Sequence, residues 1–423
     1  MRARRVGVLL AVLLGALALA ASAGAAKPSQ GKEEPHGAHS SHRSPGPQVL
    51  AKSWALIDGR TGEVLTSHAG DKRLLIASTT KLMTAYVALK DLPLGKIVRA
   101  QPYEYEFGES VMGLEPGQKI SVRDLLYGLI LLSAGDAAET LAIDSAGSVK
   151  KFVVQMNRHA AALGLTNTHY ANPVGLDQKG NYSSALDLAA LTEELQKIPV
   201  FAKIADSREA VLHSLRPPRR IHSINELLEM APWVTGVKTG HTWKAGYVLV
   251  GSGSRHGIRL ISVAIDAPTD ETRFSDDLEL LEWGFRQYHR RAALHRGQEL
   301  ASPSIRWSGG ELPLLVADPL RVGLRDGQKP TVEVDAPRQV TGPIRRGARL
   351  GRATVSVDGL RVGSVALVAS RQVPAASTFD KARGLIGEHL LALAIAACAI
   401  LIAVMLLGRH IRRIRTGKRV RQT

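Results

Sequence analysis

Residues 78–92 read STTKLMTAYVALKDL, and the start of this stretch decides what the surrounding chain can be. Leu82, Met83, Tyr86, Val87 and Leu89 recur at helical spacing, which predicts a helix with an apolar stripe. Immediately upstream, SWALIDGRTGEVLTSHAG reads as two short strands around a glycine-containing turn. Ser78 and Lys81 therefore sit at a strand-to-helix junction, one helical turn apart, where their side chains lie side by side. A serine hydroxyl is a weak nucleophile until a nearby base takes its proton. A lysine serves as that base if burial or a neighbouring cation lowers its pKa. The N–H groups at a helix start also suit a developing oxyanion.

The same Ser-x-x-Lys spacing occurs at Ser29–Lys32 and Ser148–Lys151. The first lies in a polar stretch without periodicity, and the second opens a helix where Lys151 reads as solvated. Context, not the motif, singles out Ser78 and Lys81. Working outward, SVRDLLYGLILL is a second helix, opened by Ser121 with Asp124 three residues on. VKKFVVQMNRHAAALG is a third, closed by Gly164, and SALDLAALTEELQKI a fourth. AGYVLVGSGS and GIRLISVAID form an antiparallel hairpin around SRHG, and DDLELLEWGFRQY is a last helix. Strands at both ends with helices between indicate an α+β region over about residues 50–290. Residues 300–373 carry only short β-prone runs separated by Pro and Gly, a small all-β module.

A second motif stands directly before the hairpin. VKTGHT places Lys238, Thr239 and Gly240 on a strand edge, whose backbone can pair with an extended peptide. Lys238 and Thr239 suit a carboxylate. Ser-x-x-Lys followed by Lys-Thr-Gly is the skeleton of the penicillin-interacting serine enzymes. Its third element, Ser-x-Asn, belongs between them on a loop between helices. Residues 133–135 occupy that place and read Ser-Ala-Gly.

From about residue 50 to 373 the chain resembles the D-alanyl-D-alanine carboxypeptidases, the low-molecular-mass penicillin-binding proteins. The stretches that carry the likeness include ALIDGRTGEVL, IASTTKLMTAY, LEPGQKISVRDLLYGLILLSAGDAAETLA, MNRHAAALGLTNTHYANPVGLD and VTGVKTGHTWKAGYVLVGS, in the family's order. The resemblance implies a penicillin-binding/β-lactamase-like transpeptidase domain, an antiparallel sheet with helices, then a small all-β domain and one C-terminal transmembrane helix. It implies that Ser78 attacks the carbonyl between the two terminal D-alanines of a peptidoglycan stem peptide, with Lys81 as base. Ser133 would return a proton to the leaving D-alanine. Lys238, Thr239 and Gly240 would orient the substrate, the backbone N–H groups of Ser78 and His241 would form the oxyanion hole, and Arg273 would anchor the carboxylate. β-Lactam antibiotics would be covalent inhibitors. No cofactor and no metal is implied. Gly135 departs from the family pattern, since an asparagine amide would contact the substrate backbone there. It motivates an alternative, an impaired homologue that binds peptidoglycan without efficient turnover, in which Gly135→Asn restores activity. A serine β-lactamase shares the skeleton, but the β-rich module and the apolar C-terminal run argue against it.

The ends of the chain supply its charge. The net charge is +17 over 423 residues, but much of the excess sits in Arg2, Arg4 and Arg5 and in Arg409, Arg412, Arg413, Arg415, Lys418, Arg419 and Arg421. This distribution suits targeting and membrane lipid, and excludes nucleic acid as the expected partner. Residues 1–25 read as a signal peptide, and 26–48 as a disordered linker, where His36, His39 and His42 are solvated. The catalytic domain is expected over 49–294, a β-sandwich-like domain over 295–373 and a linker over 374–388. Residues 389–408 form a membrane-spanning helix and 409–423 a basic tail. The positive-inside rule puts that tail in the cytoplasm and the catalytic domain outside. The lone cysteine, Cys398, allows no intramolecular disulfide.

Overall fold

In the computed structural model, residues 46–105, 108–307 and 309–419 are described. The expected signal peptide, nearly all of the linker that follows it and the end of the basic tail lie outside them. The sheet that organises the N-terminal part has five antiparallel strands. Their order is Val64–His68, Ser53–Asp58, Ile258–Ala267, Gly246–Arg255 and Val234–Thr242. Residues some two hundred positions apart thus pair in its centre, Leu56 opposite Ser262. Strand alternation sorts the side chains into two layers. Leu56, Leu249 and Leu260 face the helix Asp270–Arg286 with Leu280, Leu281 and Phe285. Ala55, Ile57, Val248, Val250 and Val263 face the larger helical layer. The helix Asp270–Arg286 sits so close because Gly284 has no side chain: a Cβ there would lie 2.6 Å from Leu260 and 2.7 Å from Leu56.

The helical layer is built around Lys81–Asp91. The sequence predicts an amphipathic stripe there, yet every residue from Lys81 to Ala88 is buried. The helix is apolar nearly all round because other helices enclose it, as expected for a core helix. Its neighbours are Val122–Leu131, Gly135–Ala146, Val149–Ala162 and Ala185–Gln196. Three of these start on the serines that their sequences suggest. Ser121, Ser148 and Ser184 accept from the N–H groups of Asp124, Lys151 and Asp187, each satisfying a helix donor that would otherwise be orphaned.

From His289 onward the elements up to Ala369 are strands. Five of them form an antiparallel sheet in the order Glu299–Ala301, Leu314–Val316, Leu360–Ala369, Arg349–Val357, Thr331–Asp335. A separate core of Leu294, Leu314, Val316, Val355 and Leu367 holds them. Arg325 pairs with Glu63, and Arg60 Nη2 donates to the Arg361 carbonyl at 2.7 Å, tying this sheet to the first.

The segment expected as a linker over 374–388 lies largely within the last helix. The last helix begins at Thr378 and runs unbroken to Arg419. The cause is a reciprocal cap: Asp380 N–H donates to Ser377 Oγ at 3.1 Å, and Ser377 N–H donates to Asp380 Oδ2 at 3.2 Å. Within it, Ala392–Arg409 has a mean hydropathy of 2.4 and is not buried against the rest of the chain. Gly284→Ala is expected to force Leu56 and Leu260 apart and to cost about 1–3 kcal/mol, measured by urea unfolding.

Candidate active site

Segments far apart in sequence meet where the edge strand Val234–Thr242 passes the start of the central helix. Ser78 lies in the 3-10 turn Ala77–Thr80 that opens into that helix, half-buried and reachable from solvent. Ala77 just before it has φ +47°, and Ser133 has φ +61°. Non-glycine residues held in this region cost on the order of 1–3 kcal/mol and require support from their surroundings. Here the support is close packing. A Cβ on Gly175 would collide with the Ala77 carbonyl, and one on Gly240 would lie 3.1 Å from Ser78 N. Both glycines let backbone approach backbone.

Lys81 Nζ donates to Ser78 Oγ at 3.1 Å and to the Val174 carbonyl at 2.5 Å. Only 1% of the residue is exposed. Burial pushes its pKa down to about 8, against the opposing pull of Glu109 and Asp136. The Val174 carbonyl is held in place by Asn172, whose Oδ1 accepts from the N–H groups of Val174, Gly175 and Leu176. The sequence offers only the Asn-Pro of a turn as a signal for this loop.

On the other side, Lys238 is also buried, and its Nζ donates to the Thr239 carbonyl at 2.7 Å. Burial first, then the charges of Lys81 and Arg273, hold its pKa well below the ordinary amine range. Arg273 is not a surface residue paired with Asp276 or Asp277. It pairs with Asp270, donates through Nη1 to the Gly240 carbonyl at 3.1 Å, and lies 5.4 Å over the Tyr247 ring. Its Nε is buried without a partner. Asp276 instead accepts from the N–H groups of Leu50 and Ala51, and Asp277 from Ser262. The His241 side chain is exposed and stacks on Tyr247 at 4.2 Å between ring centroids. Thr239 and Ser133 are both buried.

Gly135 is not a gap in this wall. A Cβ there would meet Glu109 Oε1 and lie 2.5 Å from the Tyr103 hydroxyl. These two residues were not singled out in the sequence, because residues 101–114 carry no periodicity or motif. Together the site offers a serine hydroxyl bonded to an amine that is largely neutral above pH 8. Beside it stand the Lys238 amine and the Arg273 guanidinium, the second of which stays charged and suits a carboxylate.

Residues 39–269 match the family model described as D-alanyl-D-alanine carboxypeptidase. The chain belongs to this family. The D-alanyl-D-alanine carboxypeptidase DacC of Escherichia coli (strain K12) is 34% identical over 354 residues, 79% of this chain and 87% of that protein. DacF of Bacillus subtilis (strain 168) is 32% identical, over 73% of this chain and 82% of its own length. Among solved structures, penicillin binding protein 5 of Haemophilus influenzae superposes with a TM-score of 0.54 at 30% identity. That match covers 78% of this chain and 99% of the other. Membership in the carboxypeptidase family makes the chain a serine peptidase and gives the α+β fold its counterpart among penicillin-binding proteins. Asn172→Ala is expected to leave three amide groups without their acceptor and to cost about 1–3 kcal/mol, read by thermal unfolding.

Proposed function

We propose that this carboxypeptidase removes the terminal D-alanine of peptidoglycan stem peptides through an acyl-enzyme on Ser78, and that its C-terminal helix anchors it in the membrane. The observation that carries the reading is the 3.1 Å contact from the buried Lys81 amine, with its pKa near 8, to Ser78 Oγ. Neutral Lys81 takes the serine proton as Oγ attacks the penultimate D-alanine carbonyl. The oxyanion forms against the backbone N–H groups of Ser78 and His241. When the C–N bond breaks, the leaving amine takes a proton relayed from the Lys81 ammonium by Ser133. Water then hydrolyses the ester: Lys81 takes a proton from the attacking water and returns it to Ser78 Oγ as the acyl–oxygen bond breaks.

Lys238 and Thr239 orient the peptide along the edge strand, and Gly240 lets that strand lie against the Ser78 turn. The terminal carboxylate binds near Thr239, with Arg273 supplying a charge that does not titrate in the working range. A β-lactam acylates the same serine. For the anchor, Ala392–Arg409 is apolar and unburied, and the basic residues that follow favour the cytoplasmic side. The remainder of the chain then faces the cell wall.

Incubation with labelled penicillin is expected to label the protein, and a peptide ending in D-Ala-D-Ala is expected to release D-alanine. Ser78→Ala should abolish labelling and lower turnover by about 10³-fold or more. Labelling that survives in Ser78→Ala would remove Ser78 as the nucleophile, and labelling without peptide turnover would favour the impaired homologue. Because Lys81 acts when neutral, the acylation rate should rise with pH and reach half its plateau near the Lys81 pKa of about 8. Truncation before Thr378 should move the labelled protein from the membrane pellet to the soluble fraction.

A further inference from the structure

The strap of residues around 109–114 is stitched to the start of the helix Gly135–Ala146. Gly135 N–H donates to the Ser110 carbonyl at 2.8 Å. The two carboxylate oxygens of Asp136 accept from Met112 N–H at 2.9 Å and Leu114 N–H at 3.0 Å. Met112 fits over Gly128, where a Cβ would lie 2.9 Å from its methyl carbon. Two missing side chains, at 128 and 135, thus make room for this strap. It delivers Glu109 over Gly135, where the Tyr103 hydroxyl donates to the Glu109 carboxylate. The helix beneath it, Gly135–Ala146, packs on the helix that Lys81 opens, and Glu109 raises the pKa of Lys81 against the effect of burial.

We propose that Glu109, braced by Tyr103 over Gly135, is a positioning residue for the reaction: its carboxylate steadies the ammonium that Lys81 becomes when it takes the Ser78 proton. It also fills the wall that a side chain at position 135 would otherwise form. The inference rests on reading Ser78 and Lys81 as nucleophile and base. In the reactive form, where Lys81 starts neutral, a positive charge develops on it as the serine attacks, so a fixed negative charge nearby stabilises the transition state more than that ground state. The same carboxylate makes Lys81 more basic. The other groups facing Lys81 are Asp136 and Lys238, with Ser78 and the Val174 carbonyl as direct partners. Asp136 is committed to three backbone N–H groups, those of Met112, Leu114 and Ala137, and Lys238 opposes protonation. Glu109 itself faces Tyr103 and Glu139, whose carboxyl is pushed up by burial and by Glu109.

The test follows acylation of the full-length protein in detergent by a fluorescent penicillin from about pH 6 to pH 10. Glu109→Gln keeps the shape and removes the charge. Its acid limb should move about one pH unit below that of the wild type, and its plateau should fall about tenfold. Glu109→Asp keeps the charge and should keep the wild-type limb. An unshifted limb in Glu109→Gln overturns the proposal whatever its plateau, as does a Glu109→Asp limb shifted equally far. Gly135→Asn should label at least about tenfold more slowly, since its side chain meets Glu109 and Tyr103, and Glu109→Ala in the same chain should restore part of the rate. Wild-type labelling in Gly135→Asn would overturn the packing half of the proposal. Absence of label on the wild-type protein, or its persistence in Ser78→Ala, is read first and overturns the assignment of Ser78 instead.

Discussion

The structure depends on placing one lysine amine inside a hydrophobic core. Lys81 is flanked along its helix by Leu82, Met83, Ala85 and Val87, all essentially inaccessible, so its charged form is costly there. The amine is accommodated because the Val174 carbonyl and Ser78 Oγ accept from it, and because Glu109 and Asp136 face it. Two of those groups are fixed in turn by a further contact. Asn172 holds the Val174 loop, and Asp136 holds the strap that carries Glu109. The cost of burying the amine is also what makes it a base near neutral pH.

Close approach around that amine is made possible by absent side chains. Gly175 admits the Ala77 carbonyl, Gly240 admits the Ser78 turn, and Gly135 admits Glu109 and Tyr103. In the linear sequence Gly135 reads as a lost amide. In three dimensions it is the space into which two larger polar side chains fit. The difference matters because a missing contact and a relocated one have opposite consequences for a Gly135→Asn exchange.

What the sequence discloses and what it hides follow the range of the interactions. Strands such as Ser53–Asp58 and Ile258–Ala267 and helices such as Val122–Leu131 carry their period and caps within a few residues, so they are legible. The Ser78–Lys81 pair is legible for the same reason, being one turn of helix. The short ladders Ile97–Arg99 with Lys119–Ser121 and Glu209–Leu212 with Arg219–His222 are not, because three or four residues are too few to show alternation. That the central helix is buried on all sides depends on helices that arrive later in the chain. Tyr103 and Glu109 acquire meaning only through Gly135, about thirty residues downstream, and no local pattern connects them. Arg273 is intermediate: its helix is readable, but its direction toward Gly240 is set by the sheet on which that helix packs.

The three buried cations divide the electrostatic work by how readily they lose a proton. Lys81 and Lys238 repel one another within the same low-dielectric wall, so protonating one disfavours protonating the other. A guanidinium does not share this restriction, since it stays charged throughout the working range. Under the proposed mechanism Lys81 must be neutral when substrate binds, so the carboxylate of the incoming peptide needs a cation that persists at that pH. Arg273, with its Nη1 on the Gly240 carbonyl and its Nε unpartnered, provides that charge from behind the edge strand. In that mechanism the separation lets a base and an anion site coexist within one wall without competing for the same proton.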